Sequence, residues 1–79
     1  MPTPIRMPDL GGGPARLTVW YADPGDRVLE GERIVEILSE RATFEIVAPA
    51  TGILAERRVF PNDPVEPGQI LGLISEDTP

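Results

Sequence analysis

The chain has 79 residues and a formal net charge of −6, with ten prolines, eight glycines and neither cysteine nor histidine. This length makes one small domain, near the lower limit of what a single hydrophobic core can stabilise. Without histidine and cysteine the chain lacks the commonest general base, the commonest metal ligand and any thiol nucleophile, and its acidic balance disfavours nucleic-acid binding, so we expect neither an enzyme nor a metal site.

Membrane insertion and export are also not indicated. No apolar run approaches membrane-spanning length, and residues 1–4 show no signal-peptide pattern. We therefore expect a cytoplasmic, monomeric domain with no membrane partner. All seven basic residues are arginine, and the chain contains no lysine.

Prolines and glycines interrupt the sequence every few residues, leaving no window for a helix longer than about three turns. Between them lie short runs rich in branched and aromatic residues. These runs are 5–7, 17–21, 33–38, 43–48, 53–60 and 69–75. Several short strands at close spacing predict an all-β sandwich or barrel.

The run 33–49 is the clearest element and predicts a β-hairpin. Folding it about its two central charged residues sets Val35 opposite Ile46 and Ile37 opposite Phe44. Those four side chains then share one face, because side chains alternate along a strand. A slip of one residue would turn them all to the other face, so the apolar pattern predicts the register.

The polar residues of this hairpin are predicted to face water. Glu40 and Arg41 form its tip, in a type I turn or a slightly longer loop, because neither suits the positive φ of the usual hairpin turns. Glu36 and Glu45 fall directly opposite each other, which is unfavourable for like charges. We expect Arg33 to relieve them, and we do not expect a catalytic carboxylate pair.

An internal repeat organises the whole chain: residues 17–37 align with residues 54–74 at a shift of 37. The matched pairs are Leu17 and Leu54, Pro24 and Pro61, Asp26 and Asp63, Val28 and Val65, Gly31 and Gly68, and Ile37 and Ile74. Upstream, at a shift of 41, Met7-Pro8 falls on Ala48-Pro49. Two copies packed face to face predict a flattened sandwich with quasi-two-fold symmetry, with the hairpin tip at one end and both termini at the other.

Individual side chains can also be assigned. Asp26 and Asp63 occupy matched turn positions, so we expect them to cap turns. Phe44 and Phe60 are predicted to be core residues. Trp20 is adjacent to a tyrosine on one strand, so one of the two is expected inside and the other partly exposed.

Several landmarks, in this order and spacing, resemble a known family. They are Met7-Pro8-Asp9-Leu10-Gly11, Trp20, Pro24-Gly25-Asp26-Arg27-Val28, Gly31, residues 37–42, Ala48-Pro49 with Gly52, and Val65 with Gly68-Gln69-Ile70-Leu71. Together they resemble the lipoyl domain of the acyltransferase component of 2-oxo-acid dehydrogenase complexes, within the biotinyl/lipoyl carrier family. The resemblance covers about residues 5–74. It implies a single lipoyl-like domain over 1–79, with its core in 5–75, folded as a flattened barrel of two small antiparallel sheets.

In that family a lysine at the hairpin tip, in a pattern like Glu-Thr-Asp-Lys-Ala, carries lipoate through an amide and swings acyl groups between active sites. This chain is similar there but has Leu38-Ser39-Glu40-Arg41-Ala42. The arginine guanidinium stays charged and delocalised at any ordinary pH, whereas amide formation needs a neutral amine. We therefore predict no attached lipoate and, by the same reasoning, no biotin.

The resemblance also implies where partners bind. Partners in the family grip the tip, here residues 38–42, and the loop beside it, here including Leu10, Gly11 and Gly12. No helix and no Lys-Ser/Thr pair follow this glycine run, so we interpret it as a surface loop and not as a phosphate site.

Four interpretations remain open from sequence. The domain is an unmodified docking module for protein components of a 2-oxo-acid dehydrogenase complex, with Arg41 contacting a partner. Alternatively, Arg41 is an ordinary solvated turn charge, the domain is a true lipoyl carrier whose acceptor has been changed to arginine, or it is a structural or regulatory protein that reuses the fold.

Overall fold

The computed structural model describes residues 2–40 and 42–76. Over those ranges the chain forms seven β-strands joined by turns and loops. The strands are β1 (Pro2–Arg6), β2 (Ala15–Trp20), β3 (Arg27–Val28), β4 (Arg33–Ser39), β5 (Thr43–Val47), β6 (Gly52–Arg57) and β7 (Ile70–Glu76). The described part of the chain contains no helix long and apolar enough to cross a membrane.

The strands form two antiparallel sheets, one in the order β1-β7-β6-β3 and the other in the order β2-β4-β5. Apolar side chains from both sheets share one core. Its buried members are Ile5, Met7, Leu17, Val28, Ile34, Val35, Ile37, Ala48, Leu54, Val59, Val65, Leu71 and Ile74. Two small sheets around a common core confirm the predicted all-β architecture.

The β4–β5 hairpin has the register that the apolar pattern predicts. Val35 pairs with Ile46, and Ile37 pairs with Phe44. Val35 and Ile37 are fully buried on the central strand, whereas Ile46 and Phe44 are half-buried because their strand is the outermost of its sheet. Phe44 belongs neither to the buried core nor to the partly buried side chains packed against it, so the prediction that it is a core residue is wrong.

The two copies of the repeat adopt matching turns. The Asp26 carboxylate accepts a hydrogen bond from the backbone N–H of Asp23 at 2.8 Å, and the Asp63 carboxylate accepts one from the N–H of Phe60 at 3.0 Å. Each donor and each acceptor is displaced by the same 37 positions. Both aspartates thus cap turns, as predicted.

The irregularities of the strands follow the same symmetry. A β-bulge interrupts the pairing of β2 between Leu17 and Val19, and another interrupts β6 between Leu54 and Glu56. Since a bulge needs one extra residue at a defined place, its recurrence after 37 positions shows that the two halves share backbone geometry as well as sequence.

The described end of the hairpin, at Ser39 and Ala42, and the described ends of the chain, at Pro2 and Glu76, lie at opposite ends of an elongated molecule of 41 × 19 × 18 Å. β7 reaches Glu76 beside Gly52, and Gly52 also pairs with Val28, just before β4 begins. β4 then leads away from this end to Ser39 at the tip. The arrangement predicted from the repeat is therefore confirmed.

The aromatic residues divide between core and surface. Trp20 is half-buried against the core, and its indole N–H donates to the carbonyl of Val59 at 2.7 Å, while Tyr21 is 39% exposed. The prediction that Phe60 is a core residue is wrong, because its side chain is 51% exposed. Phe60 occupies a turn position whose N–H is bound by Asp63, and a turn at the surface leaves little apolar cover.

Three strand assignments also differ from the sequence prediction. β1 begins at Pro2, not near residue 5, and includes Pro4; it tolerates both prolines because it is an edge strand. The two-residue strand β3 was not predicted, since two residues carry no alternation to recognise. β6 ends at Arg57, before the turn that the run 53–60 had included.

Candidate functional site

Ser39 closes the tip of the β4–β5 hairpin. Its backbone N–H donates to the carbonyl of Ala42 at 2.9 Å. Its hydroxyl lies 3.0 Å from the same carbonyl oxygen and 3.2 Å from the Ala42 nitrogen, so it can donate to the one and accept from the other. Only two residues, at positions 40 and 41, connect Ser39 to Ala42, as the predicted two-residue loop requires.

The predicted tip residues are partly described. Glu40 and Ala42 are exposed, while Leu38 and Ser39 are half-buried at the end of β4. Arg41 lies outside the described residues. Its assignment as the position equivalent to the acceptor lysine therefore stays a prediction.

The predicted partner loop lies directly beside the tip. The Asp9 carboxylate accepts a hydrogen bond from the N–H of Gly11 at 3.0 Å, which fixes the start of the loop. Gly11, Gly12 and Gly13 follow with φ values of +96°, +86° and +83°. Such a backbone path favours glycine, because other residues are strained at positive φ. All three are exposed.

The loop and the tip together enclose a shallow cavity of about 270 Å³. Its lining residues are Leu10, Gly11, Gly12, Gly13, Ser39, Glu40 and Phe44. The structure thus brings Leu10, Gly11 and Gly12 together with two of the tip residues, Ser39 and Glu40, while their role in partner binding stays a prediction. Phe44 was not included in the predicted site, although the hairpin register already placed it close to the tip.

Leu38 faces a different part of the surface. It lines a second groove, of about 320 Å³, on the other side of the tip. The other lining residues are Pro14, Ala15, Arg16, Ser39, Glu40, Asn62 and Pro64. Sequence reasoning did not find this groove, because an antiparallel bridge between Arg16 and Pro64 joins residues from the two copies of the repeat. The repeat could have indicated the bridge, because Arg16 and Pro64 are the equivalents of Ile53 and Arg27, which pair between β6 and β3.

Charged side chains on the outer face of β4 and β5 compensate one another. Glu36 and Glu45 pair directly across the strands. Arg33 donates to the Glu45 carboxylate at 3.0 Å, and the Thr18 hydroxyl donates to that of Glu36 at 2.8 Å. The hydrogen bond to Glu45 raises the pKa of Arg33 above its ordinary value, and Tyr21, whose ring centroid lies 4.4 Å from the guanidinium carbon, adds to the effect. The predicted relief by Arg33 is thus confirmed.

Two cavities border the tip of the hairpin. No group of three or more His, Cys, Asp or Glu within 2–40 and 42–76 is arranged to hold a metal ion. The groove beside Leu38 is mostly apolar, whereas the cavity beside the glycine loop presents more polar than apolar surface.

Comparison with known proteins gives a consistent result. A family model described as "Biotin-requiring enzyme", for biotin and lipoyl domains, matches residues 3–74. The dihydrolipoyllysine-residue succinyltransferase component of the 2-oxoglutarate dehydrogenase complex of Bacillus subtilis is 34% identical over 74 residues, which is 91% of this chain. The lipoamide acyltransferase component of the branched-chain alpha-keto acid dehydrogenase complex of Pseudomonas aeruginosa is 36% identical over 75 residues, also 91% of the chain.

A solved structure supports the same fold. The lipoyl domain of the 2-oxoglutarate dehydrogenase complex from Azotobacter vinelandii superposes with a TM-score of 0.77 at 28% identity, covering 95% of this chain and 98% of that domain. By contrast, this chain spans only 18% and 16% of the length of the two acyltransferases. The similarity therefore concerns one domain of much longer proteins.

Proposed function

This chain belongs to the biotin/lipoyl family, as a non-catalytic lipoyl domain related to the acyltransferase components of 2-oxo-acid dehydrogenases, and from that premise we propose that it is an unmodified docking module. In this proposal Arg41 occupies the position of the acceptor lysine. The domain binds protein components of a 2-oxo-acid dehydrogenase complex through its hairpin tip and the loop 10–14, and it carries no lipoate. The observation that carries the proposal is the complete absence of lysine from the chain.

The chemical part of the proposal concerns the nucleophile. Lipoate attachment forms an amide between an activated acyl group and a neutral primary amine. Lysine supplies such an amine after losing a proton, whereas the guanidinium of Arg41 keeps its charge and its delocalised electrons at any ordinary pH. No other side chain in this sequence offers an amine.

The docking part of the proposal rests on the surface around the tip. Ser39 and Ala42 hold the hairpin end through the hydrogen bonds described above, and the glycine loop lies against Glu40 across the shallow cavity. A surface whose backbone is already held by hydrogen bonds needs less ordering on binding, which lowers the entropic cost. An arginine at the tip adds a fixed fork of donors that suits a partner carboxylate.

A titration tests the docking role. The ¹⁵N-labelled domain is titrated with the decarboxylase component of a 2-oxoglutarate dehydrogenase complex and observed by NMR. We expect chemical-shift changes at Ser39, Glu40, Ala42 and the loop 10–14, with none at the opposite end near Gly52. The absence of shift changes with the decarboxylase components of the 2-oxoglutarate, branched-chain and pyruvate complexes would favour a structural protein that reuses the fold.

A second candidate is a true swinging-arm carrier in which the arginine is a change from an original lysine. The similarity to dihydrolipoyllysine-residue acyltransferases over 91% of the chain favours it. Under this candidate the surface read by a lipoate ligase is intact, so an Arg41→Lys chain is lipoylated promptly. If the domain has instead long ceased to be a carrier, Arg41→Lys restores the amine, but the lipoate ligase does not recognise the variant and leaves it unmodified.

A further inference from the structure

The edges of the two sheets differ in how they are protected. At one edge, β3 is only two residues long. At another, β2 is covered by the second copy of the repeat, because Leu17 donates its N–H to the carbonyl of Asp63 and Val65 donates its N–H to that of Ala15, both at 3.0 Å. Short and covered edges cannot accept another strand.

The remaining edges, β1 and β5, occupy equivalent places in the repeat but are built differently. At the shift of 41, Pro2 falls on Thr43 and Pro4 falls on Glu45. Proline has no N–H, so the two prolines block the outer edge of β1. β5 contains no proline. Prolines therefore block the outer edge of β1, whereas the equivalent edge of β5 keeps its backbone N–H donors.

The pairing of β5 shows which donors those are. Ser39 and Ala42 form a hydrogen-bonded pair across the hairpin. In an antiparallel ladder every second pair is hydrogen-bonded, so the next two such residues of β5 are Phe44 and Ile46, which face Ile37 and Val35 of β4. The backbone N–H and C=O groups of the alternate residues 43, 45 and 47 therefore point away from β4. Within the described residues, no strand or loop pairs with them.

The side chains along this edge are also incompletely covered. Phe44 and Ile46 are half-buried on the inner face, and Phe44 borders the cavity that it shares with Leu10. On the outer face lie Glu45 and Val47, the latter 50% exposed. One further strand would cover the inner pair and would place its outer side chains beside the Glu45 carboxylate.

We propose that the free edge of β5 accepts an extended segment of a partner protein as a fourth strand of the β2-β4-β5 sheet. The segment presents apolar side chains toward Phe44 and Ile46 and basic side chains toward Glu45. This inference deepens the docking role proposed above and rests on it, because it names the chemistry of the partner segment. Addition of a strand to a sheet edge is a common mode of peptide recognition.

The charges of Glu45 and of the whole domain favour a partner protein over a second copy of this chain at the β5 edge. A fully overlapped antiparallel pairing of two β5 edges would set Glu45 against Glu45 of the other copy, and each copy already carries a net charge of −6. Like charges directly opposed destabilise strand pairing. A basic segment is instead attracted by the acidic domain, and it can approach the Glu45 carboxylate, which stays about half exposed beside its partner Arg33.

The test uses the whole domain and a designed probe, the capped peptide Lys-Val-Lys-Val-Lys, with Lys-Lys-Lys-Val-Val as a control of equal charge. Amide hydrogen exchange is followed by NMR. With the alternating peptide at about ten times its Kd, the N–H groups of residues 43, 45 and 47 should exchange about tenfold more slowly. Those of Phe44 and Ile46 should change little, because β4 already protects them.

A pair of variants separates strand addition from general attraction. Glu45→Pro reproduces the blocked edge of β1 and should abolish the protection at any peptide concentration. Glu45→Thr also loses the charge but keeps the N–H, so its Kd should rise, and the protection should persist when the peptide is again at about ten times that Kd. Equal protection by both peptides, or protection confined to the tip, would overturn the β5 assignment. Either result would leave intact a docking role shown by the decarboxylase titration, so the two proposals fail separately.

Discussion

Gly25 and Asn62 are equivalent residues of the two repeats, and each forms a backbone hydrogen bond to the other half of the molecule. The N–H of Gly25 donates to the carbonyl of Leu54, and the N–H of Asn62 donates to that of Leu17, both at 2.8 Å. Both residues have positive φ, +96° and +76°. Asn62 is the one residue other than glycine with positive φ in the described chain. The exchange of hydrogen bonds between the halves thus depends on a backbone shape that few residues adopt.

This relationship predicts the effect of substitutions at Asn62. Asn62→Ala should destabilise the domain by about 1 kcal/mol, because alanine is strained at positive φ and cannot bond its own backbone as asparagine does. The free energy of unfolding of Asn62→Gly should lie within about 0.5 kcal/mol of the parent value, because relief of backbone strain offsets the greater conformational freedom of the unfolded chain. Urea unfolding gives both values. An alanine variant as stable as the glycine variant would contradict the prediction.

Gly72 is predicted to be required for close strand packing. A Cβ at this position would lie 2.6 Å from the carbonyl oxygen of Glu56 and 3.1 Å from the Trp20 ring. Gly72→Ala should therefore cost about 3 kcal/mol, since a packed backbone cannot yield cheaply. Gly11→Ala is the matched control, because its Cβ meets nothing within 4 Å and only its positive φ is strained. Similar losses for the two variants in urea unfolding would refute the packing argument.

Arg33 should stabilise the domain in a salt-dependent way. Arg33→Gln removes the partner of Glu45 and leaves two carboxylates opposed across β4 and β5, so the urea midpoint should fall at low ionic strength. The difference should shrink in concentrated salt, because salt screens exposed charges. Arg58→Gln serves as the control, since its partner Glu56 has no carboxylate directly opposite. A loss that is independent of salt would show that Arg33 acts through packing on Tyr21.

Ser39 should control the order of the hairpin tip. Ser39→Ala removes the hydroxyl that contacts both the N–H and the carbonyl of Ala42, with an expected cost of about 1 kcal/mol. Ser39→Thr keeps the hydroxyl and should restore most of the stability. Hydrogen exchange at the amide of Ala42 should accelerate in the alanine variant alone. Unchanged exchange in that variant would mean that the backbone bond suffices to close the tip.

The sequence predicted those features that rest on repeated local patterns. The alternation of Val35 and Ile37 with Phe44 and Ile46 sufficed for the hairpin register, because a slip would expose all four. The turn positions of Asp26 and Asp63 were visible since turn geometry demands particular residue types.

Several features that depend on neighbours distant in sequence were not predicted. In the sequence, Pro2 and Pro4 indicate an interruption of regular structure. They can be strand residues only because β1 lies at a sheet edge. The exposure of Phe60 depends on the absence of any cover over its turn, which composition does not encode. Predicting the groove beside Leu38 would have required knowledge of the bridge between Arg16 and Pro64, which joins the two halves of the fold.

The reactivity of position 41 can be tested directly by mass spectrometry. The domain and its Arg41→Lys variant are each co-expressed with a lipoate ligase, and the intact proteins are weighed. We predict that the arginine chain keeps its unmodified mass, because no side chain supplies a neutral amine. A gain of one lipoyl group by the unaltered chain would contradict the central claim.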